Sequence, residues 1–120
     1  MEAQYYTPTI DEFHVGFEYE ELRKDWVKLT YGGFLPKTIG EYLKEGAIRV
    51  KHLDRQDIEE CGWTQRDHDT YDIEGYALEF DSKYKTFIYH TGPRHGTVFK
   101  GTIRNKSELV KLMQMLNIKQ

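Results

Sequence analysis

Disulfides and cysteine-ligated metal sites are excluded by this sequence, because Cys61 is its single cysteine. A single thiol cannot form an internal disulfide, and no Cys-x-x-Cys or His-x-x-x-His spacing puts two ligands on one element. The best local cluster is Asp67-His68-Asp69, but adjacent residues in a polar loop rarely converge on one ion. We therefore expect no metal site, no cofactor and a reducing compartment.

Long apolar runs and an excess of positive charge are missing as well. No stretch approaches the roughly 18 apolar residues that a membrane helix needs, and the first residues lack the pattern of a secretory signal. The 17 Lys and Arg face 20 Asp and Glu, a formal net charge of −3, which disfavours non-specific binding to nucleic acid. We expect a cytoplasmic protein that does not contact a membrane.

Hydrophobic periodicity predicts the strands in the first part of the chain. Residues 13–20 alternate between apolar and polar, which indicates a half-buried strand, and the β-branched and aromatic stretch Trp26–Tyr31 is expected to return antiparallel to it. A third strand is expected at residues 47–52. Within residues 71–80 the apolar residues change parity at Gly75, which predicts a β-bulge there.

Capping signals predict the helices. Thr38-Ile39-Gly40-Glu41 forms a capping box, while Asp54 and Asn105 are expected N-caps of two further helices. Gly46 and Gly62 are expected to end the first two. In the last helix, Leu109, Leu112, Met113 and Leu116 form a stripe that is expected to lie on a sheet.

The resulting order of elements, β-β-α-β-(α)-β-β-β-α, has too few helices for parallel β-α-β crossovers throughout. It predicts an α+β fold: a mainly antiparallel, twisted sheet of about six strands with the C-terminal helix packed on one face. No repeat or linker divides the chain, so we expect residues 1–120 to form a single domain. The predicted core includes Phe13, Val15, Phe17, Ile48, Val50, Leu78, Phe80, Ile88, Leu109, Leu112, Met113 and Leu116.

Three segments together resemble a group of short uncharacterised proteins of Bacteroidota and their phages. They are the opening Tyr6-Thr7-Pro8-Thr9-Ile10-Asp11-Glu12-Phe13-His14-Val15-Gly16-Phe17-Glu18-Tyr19-Glu20, the strand Ile48-Arg49-Val50-Lys51 with Asp57-Ile58-Glu59 and Gly62-Trp63, and the ending Phe99-Lys100-Gly101-Thr102-Ile103-Arg104-Asn105-Lys106-Ser107-Glu108-Leu109. The resemblance implies a phage or mobile-element setting in a bacterial host cytoplasm and carries over no site residues.

The loop at residues 91–96 is the strongest candidate for a binding site, because glycines, a guanidinium and an imidazole occur together there. Backbone amides in such a turn bind anions, and Arg94 offers bidentate contacts to phosphate next to His95. Lys100 and Arg104 on the following strand would extend a phosphate grip. Tyr84 and Tyr89 precede the loop and would supply a stacking surface. The simpler interpretation is an ordinary hairpin loop.

The sequence shows no catalytic constellation, so we predict a non-enzymatic binding protein. The leading hypothesis is a phage-encoded counter-defence protein that sequesters a nucleotide-type signalling ligand. The alternative is a protein-interaction module that inhibits a host protein through a strand edge or an aromatic patch. A cofactor-free hydrolase ranks third, and homo-oligomer formation stays open.

Overall fold

A computed structural model describes residues 4–34, 39–80, 85–92 and 96–118. The described residues form an α+β fold with antiparallel sheets and a C-terminal helix, as predicted, but the strands are distributed over two sheets. The strands are β1 Tyr5–Tyr6, β2 Glu18–Leu22, β3 Trp26–Thr30, β4 Ile48–Lys51, β5 Thr64–Gln65, β6 Thr70–Ile73, β7 Tyr76–Phe80, β8 Lys85–His90 and β9 Thr97–Thr102. The helices are α1 Ile39–Lys44, α2 Arg55–Glu60 and α3 Lys106–Met115, and a 3-10 helix spans Ile10–Glu12.

The chain divides into two compact units, Met1–His52 and Leu53–Gln120. The first unit contains a four-stranded antiparallel sheet in the order β1-β4-β2-β3. Among its described residues, the buried hydrophobic side chains are Phe17, Ile39, Ile48 and Val50. The second unit contains the other sheet, and the prediction that residues 1–120 form one domain stays a prediction.

The first predicted strand begins later than its periodicity indicates. Val15 is 75% exposed, and Gly16 has a φ of 93°, which turns the chain before β2 begins at Glu18. The placement of Val15 in the core is therefore wrong. Phe13 is half-buried, with its ring centre 4.8 Å from that of Phe17. The apolar alternation arises here from aromatic packing around a turn.

The second unit contains a five-stranded antiparallel sheet in the order β5-β6-β7-β8-β9. Its buried cluster includes Leu78 and Ile88 from the sheet together with Leu109 and Met113 from α3. Leu112 and Leu116 pack against this cluster with partial burial, so the predicted helical stripe is confirmed. Trp63 donates its indole N–H to the Met113 sulfur at 3.3 Å, which connects the end of α2 to α3.

The helix boundaries follow the predicted capping chemistry. The Asp54 and Asn105 carboxylate and amide oxygens each accept the backbone N–H three residues on, at 2.9 Å. At the other end, Gly46 and Gly62 have positive φ, as expected for helix stops. The predicted cap Thr38 lies outside the described residues.

A hairpin replaces the predicted bulge at Gly75. Ile73 pairs with Tyr76, so Glu74 and Gly75 form a two-residue turn, and their φ values are 29° and 88°. Positive φ at both central positions is what a type I′ hairpin turn requires. The parity of apolar residues changes there because two strands of one hairpin meet.

The helices of the described chain are short. Its longest helix, α3, has ten residues. None of the described helices combines the length and the hydrophobicity needed to cross a bilayer.

Candidate ligand-binding face of the second sheet

One face of the five-stranded sheet is directed away from the buried cluster that contains Leu78 and Ile88. Strand alternation and register place two rows of side chains on it. The first row pairs Glu79 with Phe87 and Phe87 with Lys100, and the second pairs Asp72 with Ala77 and Ala77 with Tyr89. We call this surface the outer face and define it by Asp72, Glu79, Phe87, Tyr89 and Lys100.

The aromatic rings of the outer face come from β8. Phe87 and Tyr89 are both half-buried, and they share one side of the strand because they are two residues apart. Their partly exposed rings provide apolar surface in the middle of the face. Such a surface is suited to stacking against a planar ligand.

Tyr89 is positioned by polar contacts on both sides of its hydroxyl. Arg66 approaches with one guanidinium nitrogen at 3.5 Å, and the hydroxyl itself donates to Glu79 Oε1 at 3.4 Å. The same guanidinium is anchored by Asp72, whose Oδ2 lies 3.4 Å from Arg66 Nε. These long contacts orient the Tyr89 ring without burying it.

Asp72 has a second feature of interest. Its Oδ1 atom is buried, and it has no hydrogen-bond partner among the described residues. A buried acceptor without a donor costs roughly 1–3 kcal/mol, although the ion pair of the other oxygen with Arg66 compensates in part. Asp72 therefore holds Arg66 on the β6 side of the face, and the guanidinium compensates its negative charge.

Lys100 supplies the positive charge on the opposite side. Its ammonium nitrogen lies 5.8 Å from the centre of the Phe87 ring, directly across from it on β9. The side chain is exposed, and among the described residues it forms no ion pair. A lysine in this state is available to an anionic ligand.

The structure brings together only part of the set of site residues predicted from the sequence. Tyr89 and Lys100 share the outer face, and their roles in ligand binding stay predictions. Tyr84, Arg94 and His95 lie outside the described residues, so their predicted roles stay predictions.

Arg104 follows the end of β9 and is engaged elsewhere. Its guanidinium contacts both carboxylate oxygens of Glu108 at 2.9–3.2 Å, and its backbone N–H donates to the same carboxylate at 2.7 Å. This fork neutralises the charge of Arg104 at the start of α3. The described geometry therefore places Arg104 with the helix and not with Tyr89.

Sequence reasoning missed Arg66 and Phe87. Arg66 belongs to a stretch without apolar residues, which predicts a solvated loop, whereas the structure places it against Tyr89. Phe87 carried a usable signal, because it has the same strand parity as Tyr89. Arg66 carried none, since its position depends on how β6, β7 and β8 pair.

The histidine, acidic and cysteine side chains of the described residues were also candidates for metal binding or nucleophilic catalysis. Nowhere in the described ranges do three His, Cys, Asp or Glu side chains converge as a metal site would require. His68 lies 3.7 Å from Asp69, and both side chains are largely exposed. Cys61 is 1% exposed at the end of α2, so its thiol does not reach a surface.

Comparisons with known proteins do not identify this chain. No protein-family model matches it, and neither the curated proteins nor the solved structures provide a match. The resemblance to Bacteroidota and phage proteins therefore stays a prediction.

Proposed function

We propose that the protein binds a nucleotide-type ligand on the outer face of its second sheet without chemically changing it. The observation that supports this is the placement of two aromatic rings, Phe87 and Tyr89, on one face with Lys100, which forms no ion pair among the described residues. Base stacking on aromatic side chains contributes about 1–3 kcal/mol per base, and a cation provides the phosphate contact.

The distribution of charge across the face favours one orientation of the ligand. Carboxylates of Asp72 and Glu79 lie on the β6 and β7 side, and Lys100 lies on the β9 side. The amino groups of a nucleobase are hydrogen-bond donors and match the exposed Glu79 carboxylate, whereas phosphate matches the ammonium group of Lys100. The base is therefore expected over Tyr89 and the phosphate next to Lys100.

The biological role follows from the setting that the sequence resemblance implies. A phage protein that binds a host signalling nucleotide without turning it over lowers its free concentration, which is a counter-defence activity. Arg94 and His95, predicted from the sequence, would extend the phosphate contact begun by Lys100.

Calorimetric titration with a panel of mono-, di- and cyclic nucleotides tests the proposal. Lys100→Ala is expected to weaken binding about tenfold or more, because a contact to a charged group contributes roughly 1.5–3 kcal/mol. Arg104→Ala is the matched control, since its charge is held by Glu108. Tyr89→Leu removes the ring and is expected to weaken binding, whereas Tyr89→Phe keeps the ring and is expected to retain most of it.

Two results contradict the proposal. One is a wild-type protein that binds no nucleotide at the high concentrations that calorimetry allows. The other is an equal loss of nucleotide affinity in Lys100→Ala and Arg104→Ala, which would show that the nucleotide does not bind on the outer face.

A second candidate function, a protein-interaction module, is favoured by a specific feature of the first unit. Strand β3 forms one edge of the four-stranded sheet, with Lys28 and Thr30 exposed on it. Exposed edges recruit additional strands from other chains.

A further inference from the structure

The outward backbone groups of β3 can be identified from its hydrogen-bond ladder. Just beyond the strand, Tyr31 donates its backbone N–H to the Phe17 carbonyl oxygen at 2.8 Å, so Tyr31 is directed toward the neighbouring chain segment. In an antiparallel pair this direction repeats every two residues, so Leu29 and Val27 also face β2. The intervening residues direct their N–H and C=O groups away from the sheet. These residues are Trp26, Lys28 and Thr30.

These outward groups are unpaired within the part of the chain that the structure describes. β3 is the last strand in the order β1-β4-β2-β3, and no backbone hydrogen bond among the described residues reaches its outer side. A strand edge of five residues is long enough to template another strand.

Trp26 and Leu22 provide partly exposed apolar surface beside this edge. The guanidinium carbon of Arg49 lies over the Trp26 ring, 4.2 Å from its centroid. Leu22, the cross-strand partner of Trp26, is 45% exposed. An apolar side chain on an added strand, placed opposite Trp26, would therefore meet an apolar surface.

Lys28 gives the edge a charge preference. Its cross-strand neighbour is Glu20, but that carboxylate is held by Arg49 at 2.9 Å. Lys28 is exposed, and it has no ion-pair partner among the described residues. A second copy of β3 paired in register would place lysine against lysine, which is unfavourable, whereas an acidic side chain at this point is favourable.

We propose that β3 accepts an extended, antiparallel strand from a partner protein, and that this strand carries an acidic residue opposite Lys28 and an apolar residue opposite Trp26. The inference rests on the second candidate function. It does not use the outer face, because β3 belongs to the first unit and Lys100 belongs to the second. Main-chain hydrogen bonds supply the affinity of such a complex and the alternate side chains supply its specificity.

The test uses a capped synthetic peptide, Thr-Val-Thr-Val-Glu-Val-Tyr-Val-Thr, which we call the acidic peptide. In antiparallel register its Glu lies opposite Lys28 and its Tyr lies opposite Trp26. A lysine peptide, with Lys in place of the central Glu, is the matched control. Each is titrated into the full-length, nitrogen-15-labelled protein and followed by NMR and amide hydrogen exchange.

The acidic peptide is expected to slow exchange of the Trp26, Lys28 and Thr30 amides and to bind about threefold or more tightly than the lysine peptide. Lys28→Glu is expected to reverse that preference. Lys28→Pro removes a backbone N–H that is directed away from β2, and edge strands tolerate proline at such positions. The pairing of β2 with β3 is therefore expected to persist, whereas both peptides are expected to lose binding.

Several results would overturn the inference. These are equal affinity of wild type for the two peptides, unchanged preference in Lys28→Glu, or exchange protection of β3 that rises with protein concentration alone, which would make a second copy the occupant. If wild type and Lys28→Pro capture the same host protein, strand addition is wrong while the interaction function stands. Failure of nucleotide binding leaves each of these readouts unchanged.

Discussion

The guanidinium carbon of Arg49 lies 3.7 Å from the centre of the Tyr5 ring. Its other neighbours are the Trp26 ring at 4.2 Å and the Glu20 carboxylate, which accepts from both Nε and a terminal nitrogen. Arg49 is in β4, Tyr5 in β1, Glu20 in β2 and Trp26 in β3. A single side chain therefore connects all four strands of the first sheet.

Arg49→Lys is expected to lower the free energy of unfolding by about 1–2 kcal/mol. A lysine ammonium keeps the charge, but it loses the contacts of the guanidinium with the Tyr5 and Trp26 rings and the two-nitrogen contact to Glu20. Urea denaturation followed by tryptophan fluorescence measures this change.

Arg23→Lys is the matched control for that measurement. Arg23 pairs with Glu21 at 3.1 Å, but its side chain is 60% exposed. Exposed pairs contribute about 0–1 kcal/mol, so the control is expected to change stability by less than about 0.5 kcal/mol. Equal losses in the two variants would contradict a connecting role for Arg49.

The sequence predicted the ends of the helices better than the layout of the sheets. Asp54 and Asn105 were recognisable as caps because capping is local, involving a side chain and a backbone N–H three residues away. Val15 was misplaced because alternation reports only a pattern, and the turn at Gly16 interrupts it. The division of strands between two sheets depends on long-range pairing, which periodicity does not encode.

In the candidate site too, local relationships were predictable from the sequence and long-range ones were not. Tyr89 and Lys100 could be associated because β8 and β9 are consecutive strands that pair directly. Arg66 reaches Tyr89 only because β6 pairs with β7 and β7 pairs with β8 in the observed registers. The engagement of Arg104 by Glu108 is local, because Arg104 directly precedes the N-cap Asn105 and Glu108 lies in the first turn of α3.

The β6–β7 turn offers a stabilising substitution. Glu74 has a φ of 29°, a conformation that Asn adopts more readily than Glu, and Asn-Gly is the preferred pair for a type I′ turn. Glu74→Asn is expected to raise the free energy of unfolding by about 0.5–1 kcal/mol, a size typical of relieved turn strain. Gly75→Ala, which forces a side chain to a φ of 88°, is expected to destabilise. Thermal denaturation checks both, and stabilisation by Gly75→Ala would contradict the assigned turn.

Helix α3 is expected to respond very differently on its two faces. Leu109 is fully buried, so Leu109→Ala should lower the free energy of unfolding by roughly 2–5 kcal/mol through lost contacts and a cavity. Met115 is 70% exposed on the same helix, and Met115→Ala should change it by less than about 0.5 kcal/mol. Chemical denaturation of both variants measures the contrast. A loss below about 0.5 kcal/mol for Leu109→Ala would show that α3 does not pack on the second sheet.

Burial lowers the pKa of His52, whose ring is tilted against Tyr6 at a centroid distance of 4.6 Å. As the pH falls, His52 is protonated first in the unfolded chain, near the ordinary histidine pKa of about 6.5. The unfolded state then binds more protons than the folded state, so the free energy of unfolding decreases below that pH. The contribution of His52 to stability is complete above that pH, and it declines until the pH has fallen through the lowered pKa of the folded state.

Between about pH 7.5 and about pH 5.5, we expect wild type to lose more free energy of unfolding than the His52→Gln variant does. His68→Gln is the control, because the His68 side chain is 87% exposed. Urea denaturation at several pH values measures both differences. A difference for His52→Gln that does not change with pH would show that its imidazole titrates alike in the folded and unfolded states.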